Sequence, residues 1–93
     1  MDRERALELI YETIELVNQQ LPPTQRLAPD PATVIVGAGG SLDSLGILTF
    51  VLALEEKSGD ALGRAVQLVR PEWLVDDGPF HTVDRVAAHL TTL

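Results

Sequence analysis

The chain has 93 residues, room for one small domain, and its 45% hydrophobic content with only 4% aromatics calls for an aliphatic core and excludes a disordered chain. Fourteen acids against seven bases leave a net charge of −7, and Lys57 is the one lysine, so the clustered cations that neutralise nucleic-acid phosphates are missing. There is no cysteine, which excludes disulfides, thiolate metal sites and a cysteine nucleophile.

The first element predicted is a helix through "DRERALELIYETIELVNQQL". Leu7, Ile10, Ile14, Val17 and Leu21 recur at spacings of three and four on one side. Glu4, Glu8, Glu12 and Glu15 line another, and Asp2 and Glu4 suit the positive end of the helix dipole. Pro22 and Pro23 stop it. Residues 22–42 hold four prolines and three glycines and read as a long ordered loop. "TVIVG" would pack that loop down by turning Val34 and Val36, or Ile35, inward.

A second helix is expected from Asp43 or Ser44 to about Ser58, with Gly59 as its stop. Projection at about 100° per residue places Ile47, Phe50, Val51 and Leu54 on one buried arc. Gly46, Thr49, Ala53 and Glu56 then form an outward stripe, flanked by partly exposed Leu45, Leu48 and Leu52. Such a stripe beside a serine suggests a docking surface; burial on two sides is the alternative.

"DALGRAVQLV" has mixed periodicity and fits a loop or a short helix. "RPEWLVDDG" suits one short helix, with Pro71 in its first turn, Gly78 after it and Trp73 partly buried. Thr82 is a good N-cap for a last helix, whose face is Val83, Val86, Ala87 and Leu90, with Phe80 folded back on the core. The fold class is all-α: three main helices, one short helix and a long first loop. With no cationic leader and no apolar stretch of spanning length, the expectation is a soluble, cytoplasmic monomer that contacts no membrane.

Little of this points to catalysis. His81 and His89 are eight residues apart without supporting acids, match no metal spacing and read as surface residues. No serine lies in a G-x-S-x-G elbow, and "GAGG" is followed by no lysine. Ser44 is distinguished by position. If Asp43 caps the helix, the Ser44 hydroxyl stands free at the first helical position, where an ester to phosphate would meet unpaired backbone N–H groups and the positive dipole end.

"LDSLGILTFVLALEEKSG" resembles the central motif of acyl carrier proteins, including the related peptidyl carriers: Asp-Ser-Leu opening an apolar helix that ends in an "ALEE" run. "PFHTVDRVAAHL" resembles their closing segment, and the order of elements matches over essentially the whole chain. The resemblance implies an acyl-carrier-like, right-handed four-helix bundle that is not an enzyme. It implies that a phosphopantetheinyl transferase, using coenzyme A and Mg²⁺, attaches 4′-phosphopantetheine to Ser44. The terminal thiol of that arm would hold an acyl or aminoacyl group as a thioester. Its partners would be an acyl- or aminoacyl-loading enzyme and downstream enzymes such as a ketosynthase or condensing enzyme. Asp43 would help present the serine, Leu45 would be the first apolar contact, and Leu48, Thr49 and Leu52 would complete the recognition surface.

Two departures narrow the expectation. Fatty-acid carriers usually have glycine three residues before the serine and acids along the outer face of this helix; here Ser41, Gly46 and Thr49 stand in those places, while Glu55 and Glu56 remain at the far end. Recognition should therefore be more apolar, which favours a specialised polyketide, nonribosomal peptide or related pathway over fatty-acid synthesis. The chain starts at Met1 and holds nothing beyond the carrier unit, so a freestanding carrier is expected. A fatty-acid carrier and an unmodified carrier-like interaction module stay as alternatives.

Overall fold

The computed structural model describes all of residues 1–93. Asp2 caps α1 (Arg3–Asn18) by accepting the Arg5 N–H at 2.8 Å. The side of α1 turned to the core carries Ala6, Leu9, Ile10, Thr13, Ile14 and Val17. Leu9 takes the place expected for Leu7, which is only partly buried, as is Leu21. Thr13 enters the core because its hydroxyl donates to Leu9 O at 2.8 Å, so no polar group is left unpaired.

Residues 19–43 cross the bundle as an ordered loop, with one 3₁₀ turn at Pro23–Gln25. Asn18 holds it down: its side chain donates to Leu27 O and accepts the Leu27 N–H, at 2.9 and 2.8 Å. Ile35 and Val36 are the buried members of "TVIVG", and Val34 makes a lone antiparallel bridge with Thr82. No strand forms.

The second helix, α2 (Ser44–Leu62), runs a turn beyond the predicted end. Gly59 is not its stop. Gly59 lets the following loop fold closely onto the helix, with Arg64 N–H donating to Gly59 O at 3.2 Å. The stop is Gly63, whose φ of +67° is the left-handed conformation that closes a helix at little cost only in glycine. Phe50, Val51, Leu54 and Ser58 face inward, and Ile47 is half-buried.

The short helix expected over 71–77 is a single 3₁₀ turn, Pro71–Trp73. The chain doubles back so tightly after it that a Cβ at Gly78 would collide with the Trp73 carbonyl. Phe80 is fully buried, Thr82 caps α3 (Val83–Leu90), and Val83, Val86, Ala87 and Leu90 are the buried face, as the spacing predicts.

The result is a small all-helical bundle in which α1 packs against both α2 and α3. Seventeen buried apolar residues form one core. Each large one contributes about 1.5–3 kcal/mol by leaving water, against which the Arg3–Asp84 and Lys57–Glu12 surface pairs are minor. No helix is long and apolar enough to cross a membrane.

Candidate functional site

The start of α2 is built by the residues before it. Leu42 is half-buried against the core, and Asp43 adopts extended backbone at φ −82°, ψ −178°. From there its Oδ1 accepts the Gly46 N–H at 2.8 Å and its carbonyl accepts the Ile47 N–H at 2.9 Å. Ser44 is the first helical residue and is exposed. The hydrogen bonds of this turn pass it by, leaving the N–H groups of Ser44 and Leu45 without acceptors in the chain. An exposed hydroxyl, two free N–H donors and the positive helix end therefore meet at one point.

The outward face beyond Ser44 differs from the projected one. Leu45, Leu48 and Leu52 are themselves the outermost residues, at 73%, 39% and 48% exposure, and do not merely flank a polar stripe. Gly46, expected outside, is buried. A Cβ there would lie 3.1 Å from Leu42 Cδ2, so the absent side chain lets the incoming loop seal this turn. Thr49 and Ala53 are half-buried, and the Thr49 hydroxyl donates to Leu45 O at 2.8 Å. Beside Gly46 and Thr49, a hollow of about 220 Å³ opens toward Val17 and Leu21 at the end of α1. The donor of the Thr49 hydroxyl is therefore already used within the helix.

Of the two acids at the far end, only Glu56 is exposed. Glu55 turns to the next loop, where Oε2 accepts the Leu68 N–H at 2.7 Å and the Val69 N–H at 3.3 Å. This anchors Leu68, which is fully buried. Ser41 likewise has a structural contact, donating to Gln25 O at 3.0 Å and tying the two ends of the long loop.

Both histidines, expected at the surface, are half-buried. His81 has Nδ1 2.8 Å from Val36 O. His89 packs between Trp73 and Phe80, and burial holds its pKa below the usual imidazole value of 6.5. No group of three or more His, Asp or Glu side chains is placed to hold a metal ion.

Asp43, Ser44, Leu45, Leu48, Thr49 and Leu52, the expected site residues, lie at the cap and along the first half of α2, with Thr49 half-buried and the others exposed. Leu42 was not foreseen, and Glu55, expected on the outer face, turns to backbone N–H groups instead. The burial of Gly46 held the only hint of Leu42, since glycine in an otherwise apolar helix often marks a close approach.

The chain matches no family model, no curated protein and no solved structure.

Proposed function

We propose that this protein is an acyl carrier, a non-enzymatic bundle that receives a 4′-phosphopantetheine arm on Ser44 and presents acyl or aminoacyl cargo to partner enzymes. The observation that carries this reading is the exposed Ser44 hydroxyl at the first position of α2, capped by Asp43 and followed by exposed Leu45. On this reading the 71–73 turn stands in the place of the fourth helix of a carrier bundle, between α2 and α3.

The residues present suit a phosphodiester at this position. Ser44 is exposed and its hydroxyl makes no hydrogen bond within the chain that esterification would break, and the free N–H groups of Ser44 and Leu45 belong to the same helix start. Asp43, engaged with Gly46 N–H, fixes the helix start and so the direction of the serine. In the attachment step the Ser44 Oγ–P bond forms as the pyrophosphate bond of coenzyme A breaks, adenosine 3′,5′-bisphosphate leaves, and the hydroxyl proton passes to a base of the transferase. The bound arm supplies a thiol, which this cysteine-free chain lacks, able to hold cargo as a thioester.

A specialised pathway is favoured over fatty-acid synthesis because the outward face near Ser44 consists of leucines, and one of the two remaining acids, Glu55, is bound to backbone N–H groups. The test is incubation of the whole chain with a broad-specificity phosphopantetheinyl transferase, coenzyme A and Mg²⁺, followed by intact mass. A gain of one phosphopantetheinyl group, absent in Ser44→Ala, is expected, together with one new titratable thiol. An unchanged mass supports the unmodified interaction module instead, and a gain that survives Ser44→Ala moves the site elsewhere.

A further inference from the structure

The carrier reading makes no use of the aromatic cluster at the other end of the bundle. His89 lies in the last turn of α3, with its ring 4.6 Å from that of Trp73 at 68° and 5.9 Å from that of Phe80 at 56°. Its Nε2 is shut off from water and has no hydrogen-bond partner. Trp73 belongs to the turn after Arg70, and Phe80 is the fully buried residue at which this segment rejoins the core. His89 is therefore the α3 ring that meets both ends of the segment 73–80, whose Trp73, Leu74 and Phe80 also pack against the core.

A neutral imidazole tolerates this setting, because with its proton on Nδ1 only a lone pair is left unsatisfied at Nε2. An imidazolium carries N–H on both nitrogens, so protonation would leave a charged donor buried with no acceptor. Other groups act on the same ring. The carbonyl end of α3 and the carboxylate of Asp77, which lines a surface hollow with His89, favour the cation. Arg85, one turn earlier on α3 and lining the same hollow, opposes it. Arg70 opposes it too, its guanidinium lying 4.9 Å from the Trp73 ring centroid, and Glu72 is paired with Arg70 at 3.4 Å. From α1, the charge directed to α3 is Arg3, which is paired with Asp84 near the far end of that helix. No carboxylate reaches the sealed Nε2.

We propose that the Trp73–His89–Phe80 cluster is a proton-operated latch: neutral His89 holds residues 71–80 on α3, and protonation swings the ring into the open hollow beside Asp77, releasing Trp73 and loosening the segment. This device is independent of the modification of Ser44 and operates in the unmodified chain. The sign follows from burial. The folded state binds this proton less readily than the unfolded chain, so the stabilisation is fully present above the ordinary value of 6.5 and is lost as pH falls from there through the lowered folded value.

Trp73 is the only tryptophan, so its fluorescence reports on the latch directly. Emission and anisotropy are followed on the whole chain from about pH 8 to pH 5, the range in which imidazole changes charge. Hydrogen exchange of residues 72–80, corrected for its intrinsic pH dependence, is measured alongside. The expected result is a red-shifted emission, lower anisotropy and a several-fold rise in exchange confined to this segment, with a midpoint below 6.5. His89→Phe, which keeps a packed ring but cannot titrate, should abolish the transition, and His81→Gln should retain it. Direct NMR titration of the His89 ring in the unaltered chain tests the same point without a substitution. The latch is overturned if the ring titrates at or above 6.5, if fluorescence is quenched with no change in exchange, or if the transition persists in His89→Phe.

Discussion

At the start of α3, the Thr82 hydroxyl and carbonyl accept the N–H groups of Arg85 and Val86, and the long loop reaches over so that Thr33 and Pro31 carbonyls accept those of Val83 and Asp84. At the start of α2, Asp43 caps in the same way, yet nothing in the chain covers the first two N–H groups. The residue after the cap is fully buried valine in one case and exposed serine in the other. One helix start is closed by the protein's own loop. The other keeps the donors and the hydroxyl that an incoming anionic group would use, and α1, which also starts open, has Arg3 at that position and no hydroxyl to modify. The contrast shows that a cap followed by serine acquires meaning only through what the rest of the chain leaves uncovered.

Exchanging the two contexts is the most disruptive way to probe this contrast. Val83→Ser puts a serine after the cap of α3, in a packed setting, and should cost about 3 kcal/mol through the lost apolar contact and the buried hydroxyl. Urea unfolding would read that loss, and the transferase should leave the new serine unmodified. Removing the caps comes next: Asp43→Ala and Thr82→Ala should each lower stability by about 1 kcal/mol. Only Asp43→Ala should also slow attachment at Ser44, as a time course by mass would show. The smallest change in stability belongs to Leu45→Asp, expected to stay within about 0.5 kcal/mol because the side chain is 73% exposed. Its effect should instead be a slower transferase reaction, and an unaltered rate would remove Leu45 from the contact surface.

The starts of α2 and α3 were legible in sequence because caps are local: Asp43 and Thr82 each announce one by chemistry acting over three residues, whereas Asp2, expected in the first turn of α1, is itself the cap. The end of α2 was not, since Gly59 and Gly63 look alike in sequence and only the backbone conformation tells a close approach from a stop. Helical projection identified Phe50, Val51 and Leu54 as core but could not foresee that Leu42, from the loop, would cover Gly46. Glu55 looked like an external acid because its partners, the N–H groups of Leu68 and Val69, are backbone and carry no mark in the sequence. His89 read as a surface residue for a similar reason: Trp73 approaches it from a segment that was expected to be a short helix but folds as a single 3₁₀ turn and doubles back.

Between Ser44 and Leu54 the middle helix holds no ionised side chain, and the next acid, Glu55, bends inward. On the carrier reading, an encounter on this face would be driven by dewetting of leucine, with charge steering left to Asp43, Glu56 and the net charge of the chain. The leucine contribution should hardly respond to sodium chloride, whereas sulfate, by raising the cost of wetted hydrocarbon, should strengthen it.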